Sequence, residues 1–318
     1  MSEQDKKTVC FSIPCYNELE NVEPMALHLI QMFSESLTQY RLRIQFIDNN
    51  SNDGTQERLR DLCSRFQQVR VILNARNFPM TSGYYGMLQA EGDCIITIPS
   101  DFQVPLDVIP ELLKKWENGA KIVCLIKKNA EESGLMWRTR QLFYRLSDHL
   151  SDVTMIPNYN GCGLYDKSFM DVCRGIDDPV VSFLQIVPTL GYDIAYQEYT
   201  HLKRRSGRSK NTFISLLNLA ITRFTNSSVI GPRIATIGGF VIGSLSFIVG
   251  MIYLILKLIY WDLFMAGVAP IMIGVFFMGS VQLFFIGLLG EYILKANQRL
   301  MKRPMVIERE RINFETQE

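Results

Sequence analysis

Two long runs without a charged residue constrain this chain more than any other feature. The first covers residues 234–256 and the second covers residues 263–290. At about 1.5 Å of rise per residue, a helix of either length exceeds the roughly 30 Å core of a bilayer. The two runs therefore predict a hairpin of two transmembrane helices joined by a short loop. The alternative structure is a pair of helices buried in the core of a large protein.

The flanking charges predict how this hairpin is oriented. The loop at 257–262 carries one lysine and one aspartate, and the first 25 residues contain no apolar run of the signal-peptide kind. Cytoplasmic flanks are enriched in lysine and arginine. We therefore expect an integral membrane protein, in the inner membrane if the host is a bacterium, with both termini and the preceding domain in the cytosol. The basic flanking residues are Arg223, Arg233, Lys295, Arg299, Lys302 and Arg303.

Composition excludes several other classes of protein. The net charge of the 318 residues is +1, so nothing indicates a nucleic-acid partner. The 7 cysteines are scattered and form no Cys-x-x-Cys pair. Such a pattern is typical of reduced cytosolic thiols rather than of a disulfide framework or a zinc site.

Before the apolar runs, short β-branched segments alternate with amphipathic ones. This alternation predicts a mostly parallel sheet wrapped by helices, an α/β fold. In such sheets, ligands bind at the carboxyl ends of the strands. The predicted strands lie at 9–14, 43–47, 69–73, 94–98 and 121–126, the last of which closes the series, and the predicted helices lie at 21–36, 56–66, 81–91 and 108–118.

Unusual polar clusters fall at three of these strand ends. Glu18 follows the first strand, Asp48 ends the second, and Asp101 and Gln103 follow the fourth. A carboxylate and an amide oxygen are suitable ligands for a hard divalent cation, which would neutralise a phosphate leaving group. For Asp53, which precedes a glycine, a turn-forming role is the stronger alternative.

Beyond residue 130 the pattern changes to mixed basic and aromatic segments. Residues 135–151 and 212–225 predict helices in the membrane interface, with ordinary surface helices as the alternative. The basic run at 203–210 fits either a phosphate site or a lipid-headgroup tether. We place the domain boundaries so that 1–229 forms the cytosolic domain, 230–295 the membrane hairpin, and 296–318 a charged tail that is unstructured at its end.

Seven segments in this order resemble the motifs of glycosyltransferase family 2. Within that family they are similar to the polyprenyl-phosphate glycosyltransferases, the group that contains dolichol-phosphate mannose synthase. Nearly the whole chain is covered. The segments are FSIPCYNELENV (11–22), IQFIDNNSNDGT (44–55), ARNFPMTSGYYGMLQAEGD (75–93), PSDFQVP (99–105), GCGLYDK (161–167), RRSGRSKN (204–211) and GLLGEYILKANQRLMKRP (287–304).

The resemblance implies a GT-A fold, an inverting transfer and a divalent cation, Mg²⁺ or Mn²⁺. The implied donor is a nucleotide sugar, a UDP- or GDP-hexose, and the implied acceptor is a polyprenyl phosphate. The sequence does not identify the sugar, and we expect UDP-glucose first, before other UDP-hexoses and GDP-mannose. Asp101 matches the second aspartate of the family's D-x-D motif and Gln103 the glutamine after it, whereas Pro99 stands at the first aspartate. The resemblance places Pro14, Tyr16, Glu18, Asp48 and Ser100 at the donor nucleotide, Lys127, Arg140 and Arg205 at the acceptor phosphate, and Lys210 near the donor diphosphate or the membrane.

Two other functions stay open at this point. A processive polysaccharide synthase also joins such a domain to membrane helices, but it carries more spans and a Q-x-x-R-W pattern that this chain lacks. A non-catalytic sensor or scaffold that binds a nucleotide sugar is suggested by Pro99. The three histidines, His28, His149 and His201, show no metal-ligand spacing, and we expect no catalytic role for them. The small residues of the two apolar runs suit packing of helix on helix, either within one chain or between two copies in a homo-oligomer, and the sequence leaves both open.

Overall fold

A computed structural model describes residues 6–79, 81–128, 156–176, 183–202, 268–300 and 304–314, with six isolated positions between 241 and 259. The predicted interface helices and Arg140, Arg205 and Lys210 lie outside the described residues. The chain divides into two compact units. The first comprises Met1–Asp148, Val153–Thr212 and Lys302–Glu318, and the second comprises His149–Asp152 and Phe213–Met301. The predicted boundaries at 229 and 295 stay predictions.

The first unit is built on one 8-stranded sheet. Its strands are β1 (Thr8–Cys15), β2 (Arg41–Asp48), β3 (Val69–Asn74), β4 (Cys94–Thr97), β5 (Ile122–Lys127), β6 (Tyr159–Asp166), β7 (Ile194–Tyr199) and β8 (Glu308–Ile312). They lie in the order β7-β5-β6-β4-β1-β2-β3-β8. Among these eight strands, β6 and β8 are antiparallel to the rest. The predicted mostly parallel α/β fold is therefore confirmed.

Helices cover both faces of this sheet. The helices α1 (Leu19–Glu35), α2 (Thr55–Arg65) and α4 (Ile109–Glu117) contribute to one apolar cluster, and α3 (Ser82–Gln89), α5 (Lys167–Arg174) and α6 (Phe183–Thr189) contribute to the other. Along β1, Phe11 and Ile13 enter the first cluster while Cys10 enters the second. Because strand side chains alternate between faces, a strand covered on both sides is apolar throughout.

The predicted strands and helices up to residue 127 agree with the structure to within two residues at every end. The prediction that the strand at 121–126 closes the series is wrong, because β6, β7 and β8 extend the sheet. Gly163 shows why β6 fits where it does. A Cβ at this position would lie 2.3 Å from the carbonyl oxygen of Val123 on β5, so the close approach of the two strands requires glycine.

The sequence predicts no element for the C-terminal tail, yet residues 308–312 form an edge strand. Antiparallel pairing sets Ile312 opposite Val71 and Glu310 opposite Leu73. Arg60 donates to the Glu310 carboxylate at 2.8 Å, and the Asn313 amide donates to the carbonyl oxygens of Cys63 and Val69. These contacts attach the tail to α2 and β3 of the first unit.

The described part of the second unit consists mainly of α7 (Val268–Leu300), a helix of 33 residues. It begins five residues inside the second apolar run and extends beyond it. Within the described residues, no helix meets the combined length and hydropathy required to cross a membrane.

Candidate active site

The carboxyl ends of β1, β2 and β4 lie side by side at one edge of the sheet. Cys15, the last residue of β1, pairs with Asp48, the last residue of β2. The segment after β4 contains Ser100 and Asp101, both buried. The fold thus brings the three predicted polar clusters to the same edge, as expected for a parallel sheet that binds its ligand there.

Asp48 is held in a fully buried position by its own loop. Its Oδ2 accepts hydrogen bonds from the Ser51 amide and from Gln56 Nε2, each at 2.9 Å, and its Oδ1 accepts one from the Ser51 hydroxyl. Burial raises the pKa of Asp48, and the hydrogen bonds from Ser51 and Gln56 oppose that rise. The carboxylate is therefore fixed in orientation.

A second set of contacts joins the turn after β1 to the loop after β2. Asn17 adopts a positive φ of 56° and its amide donates to Ser51 Oγ at 2.8 Å. The Glu18 amide donates to Thr55 Oγ1 at 3.0 Å. Asp53 accepts from the Thr55 amide at 3.1 Å and from the Leu19 amide at 3.3 Å. The turn-forming role considered for Asp53 agrees with these contacts.

The other predicted donor residues line the same turn. Glu18 is buried at 7% exposure, and its Oε2 accepts a hydrogen bond from Asn21 Nδ2 at 2.5 Å. Pro14 is the penultimate residue of β1 and Tyr16 follows that strand, and both are half-buried. The predicted donor residues thus lie at the ends of two adjacent strands, β1 and β2.

Asp101 occupies a short turn beyond β4. Its Oδ1 accepts a hydrogen bond from the Gln103 amide at 3.1 Å, and Phe102 between them has a φ of 58°. Asp101 remains only 8% exposed. The Gln103 carbonyl oxygen accepts from the Leu202 amide at 3.0 Å. This contact brings the segment after β7 beside the predicted metal ligands.

The ends of β5 and β7 add further groups to this region. Lys127 pairs with Tyr199 in the sheet, and His201 follows two residues later. Burial, then Cys162 and Asp101, raise the pKa of Tyr199 to about 12. Burial and the charge of Lys127 lower the pKa of His201, while Asp101 opposes them. Asp101 and Lys127 therefore act electrostatically on one imidazole.

The model of the family described as Glycosyl transferase family 2 matches residues 10–173, just over half of the 318 residues. The chain belongs to glycosyltransferase family 2. The family membership predicted from the motifs is confirmed, and the chain is a glycosyltransferase.

Relatives within family 2 align over almost the full chain. A "Prophage bactoprenol glucosyl transferase homolog" of Escherichia coli (strain K12) is 30% identical, over 93% of this chain and 96% of the relative. A "Bactoprenol glucosyl transferase" of Shigella phage SfV is 29% identical, over 93% and 96%. Among solved structures, mannosyl-3-phosphoglycerate synthase from Rubrobacter xylanophilus matches 73% of this chain and 75% of its own, with 14% identity and a TM-score of 0.46.

Few side chains at this site are of a type that can bind a metal ion. The described residues contain no group of three or more His, Cys, Asp or Glu side chains arranged to hold a metal ion. Of the predicted ligands, Asp101 carries a carboxylate and Gln103 an amide oxygen, and Pro99, at the remaining motif position, carries neither. Close by, the Nδ1 atom of His201 is buried and has no hydrogen-bond partner among the described residues. A carboxylate and an amide oxygen are the kind of ligand that hard divalent cations take.

Two residues near this site carry no signal in the sequence. His201 is a single histidine without partner spacing. Arg309 lies on β8, more than 250 residues beyond the loop that it contacts, and its guanidinium donates to Asn50 Oδ1 at 2.5 Å and to Gln56 Oε1 at 3.4 Å. Gln56 in turn donates to Asp48. The charged tail thus contacts the loop that holds Asp48 through Asn50 and Gln56.

A separate cavity of about 900 Å³ lies at the opposite ends of the strands, away from these residues. The arginines that line it have partners within the protein. Arg43 and Arg70 each donate to the Glu91 carboxylate at 3.0 Å, and Arg174 donates to the Ala90 carbonyl oxygen at 2.6 Å. None of the predicted site residues lines this cavity.

Proposed function

We propose that this enzyme transfers glucose from UDP-glucose to a polyprenyl phosphate with inversion at the anomeric carbon. The observation that carries the proposal is the pair of bactoprenol glucosyl transferase relatives, each aligned over 93% of this chain and 96% of its own length. The buried carboxylates at the ends of β1, β2 and β4 support it, because they suit a nucleotide and its diphosphate.

The donor would bind along the strand ends. The base and ribose would be held by Pro14, Tyr16, Glu18 and Asp48. Ser100 would lie beside the part of the donor that carries the sugar. The rigid loop around Asp48 supports this role, since a carboxylate fixed by three hydrogen bonds loses little further freedom when it binds a hydroxyl. A divalent cation, Mg²⁺ or Mn²⁺, would be held by Asp101 and Gln103 and would supply positive charge to the leaving diphosphate.

The acceptor phosphate would itself be the nucleophile. One of its oxygens forms the new bond to the anomeric carbon while the bond from that carbon to the UDP oxygen breaks, and UDP leaves with the electron pair. A phosphate monoester is largely ionised at neutral pH, with a second pKa of about 6, so no strong general base is required. The protein would contribute alignment and charge neutralisation. Lys127, together with Arg140 and Arg205, would hold the acceptor, and Lys210 would lie near the donor diphosphate or the membrane.

We further propose that the apolar runs at 234–256 and 263–290 cross the membrane as a hairpin. The absence of charge from both runs supports this, as do the basic residues on their outer sides. The catalytic unit would then lie on the cytosolic side, at the depth of a lipid phosphate. Self-association through the glycines of the two runs is consistent with this arrangement.

A transfer assay tests the proposal. The purified protein in detergent would be incubated with undecaprenyl phosphate, Mg²⁺ or Mn²⁺, and labelled UDP- and GDP-sugars, and label in the organic phase would be measured. We expect transfer from UDP-glucose that is abolished by EDTA. Asp101→Asn should lower the rate by roughly 100-fold or more, because it removes charge beside the leaving group. Asp107→Asn, an exposed carboxylate six residues away, is the matched control and should be unaffected.

Two outcomes would contradict the proposal. Donor binding without transfer to any lipid would favour the non-catalytic sensor. Elongation to a polymer would favour the polysaccharide synthase.

A further inference from the structure

The cavity at the opposite ends of the strands is basic. It lies near the amino-terminal ends of β1, β2 and β3. The eight residues of β1, roughly 23 Å of strand, separate it from the donor site. Ligand pockets of about 900 Å³ hold small molecules, and a surplus of positive charge favours an anion. The basic residues that line it are Arg43, Arg70, Lys167, Arg174 and Arg311, and the acidic ones are Glu91 and Asp93.

Two of these arginines are engaged in holding the fold. Arg174 pairs with Asp171, and Arg311 pairs with Glu308, and neither carboxylate lines the cavity. Arg174 also donates to the Ala90 carbonyl oxygen at 2.6 Å, just beyond the end of α3. We therefore assign no ligand to these two side chains.

Arg43 and Arg70 converge on one exposed carboxylate. Both guanidinium groups donate to the same oxygen of Glu91, each at 3.0 Å, so their Nη1 atoms lie at most twice that distance apart. The side chains of Arg43 and Arg70 are 22% and 7% exposed, whereas that of Glu91 is 58% exposed. Ion pairs with an exposed carboxylate contribute little to stability. Glu91 can therefore leave these two arginines at small cost.

Lys167 adds a third positive group. Its side chain lines the cavity and is exposed, and it makes no hydrogen bond or ion pair within the part of the chain that the structure describes. Its backbone amide donates to the Asp93 carbonyl oxygen at 3.0 Å, which fixes the residue beside the segment that carries Glu91. The ammonium group is therefore available to a ligand in this cavity.

A phosphate group suits this arrangement better than the Glu91 carboxylate does. It carries up to two negative charges and three terminal oxygens, and guanidinium groups bind it through paired hydrogen bonds. We propose that the cavity is a binding site for a phosphate-bearing anion, which Arg43, Arg70 and Lys167 hold and which displaces the Glu91 carboxylate into solvent. This site is separate from the donor site and does not depend on the proposed function.

Calorimetric titration with inorganic phosphate and pyrophosphate tests the site. The full-length protein in phospholipid-free detergent would be titrated with EDTA present, which removes divalent cations from the donor site. We expect one saturable site for pyrophosphate, with an affinity that falls as ionic strength rises. Arg43→Gln should weaken pyrophosphate binding about 10-fold, and Lys167→Gln about 3-fold. Lys114→Gln, at an exposed lysine of α4 outside the cavity, is the matched control and should not change it.

Glu91→Gln separates binding from folding. The substitution removes the competing charge and should tighten pyrophosphate binding about 3-fold, a gain that a misfolded protein could not show. Absence of saturable binding, or equal affinity in the wild type and Arg43→Gln, would overturn the proposal. Loss of binding in Asp101→Asn would also overturn it, because the pyrophosphate would then occupy the donor site.

Nanodiscs distinguish a free anion from a lipid headgroup. Pyrophosphate affinity would be compared in nanodiscs of phosphatidylcholine alone and in nanodiscs that also contain phosphatidylglycerol. Equal affinity in both would support a free phosphate compound as the occupant. Affinity that phosphatidylglycerol lowers in the wild type but not in Arg43→Gln would support a phospholipid headgroup that competes for the same cavity.

Discussion

Asparagine at position 48 tests whether the buried carboxylate of Asp48 serves the donor or the fold. The replacement has nearly the same shape, and the hydrogen bonds with Ser51 and Gln56 can be kept, while the weak donor of the Cys15 thiol, 4.0 Å from Oδ1, loses its acceptor. The asparagine oxygen can accept from the Ser51 amide and from Gln56, as Oδ2 does now, while its NH₂ donates to the Ser51 hydroxyl. The stability of the fold should therefore change by less than about 1 kcal/mol.

The sign of that small change follows from the pKa. Burial raises the pKa of Asp48 in the folded state above its unfolded value. The ionised carboxylate therefore opposes folding at pH values above the folded pKa, and this penalty vanishes below the unfolded pKa. Asparagine has no such penalty. Asp48→Asn should be at least as stable as the wild type at pH 7, and its stability should depend less on pH in the acidic range.

Donor binding should respond in the opposite way. If the carboxylate accepts a hydrogen bond from the ribose, a neutral acceptor costs about 1.5 kcal/mol, which weakens donor binding about 10-fold. Calorimetric titration with UDP-glucose and thermal unfolding of the same preparation measure both quantities.

Asp53→Asn is the matched control. Asp53 accepts amide hydrogen bonds from both Leu19 and Thr55, and an asparagine NH₂ would face one of these donors. This variant should lose stability while donor affinity is retained, although exposure of the side chain keeps the loss within about 1 kcal/mol. Parallel losses of stability and affinity in both variants would refute a donor role for Asp48.

Three further changes have definite expected outcomes. Gly163→Ala places a Cβ 2.3 Å from the Val123 carbonyl oxygen and should destabilise the fold by about 3 kcal/mol, seen as a lower Tm; an unchanged Tm would contradict the observed strand spacing. Arg309→Ala removes the contacts to Asn50 and Gln56 and should raise the KM for the donor about 5-fold with kcat unchanged, whereas a fall in kcat alone would argue against it. The seven cysteines are all buried, so a thiol reagent should label them only after unfolding, and rapid native labelling would show otherwise.

The first half of the catalytic unit could be predicted from the sequence because its signals are local. Apolar strands with polar ends occur at 9–14 and 43–47, and the pairing of Cys15 with Asp48 brings those ends together. Parallel strands in neighbouring positions align their carboxyl ends, so a residue's place at a strand end already fixes its place at the site. The positions of Asp48 and Asp101 at this edge of the sheet could therefore be predicted without knowledge of contacts between distant segments.

The remaining parts depend on contacts between distant segments. The sequence of β8 consists of four charged residues of alternating sign followed by Ile312. Such a segment resembles an exposed tail, and only its pairing with β3 makes it a strand. Position 201 shows the same limit. The segment with His201 lies beside the turn after β4 only because the Leu202 amide reaches the Gln103 carbonyl oxygen, about 100 residues earlier in the chain. Register between distant strands is decided by tertiary packing, which local patterns do not encode.

The position of β8 also has a consequence for biosynthesis. β3 is buried along its whole length, and its outer neighbour is a strand made more than 230 residues later, after α7. Proteins fold from the amino terminus while they are still being synthesised. The outer edge of β3 therefore stays unpaired while the whole apolar region is synthesised. A chain stopped before residue 308 would keep the strands that carry Asp48 and Asp101 but would expose that edge to pairing with other chains. Completion of the sheet thus distinguishes full-length chains from interrupted ones.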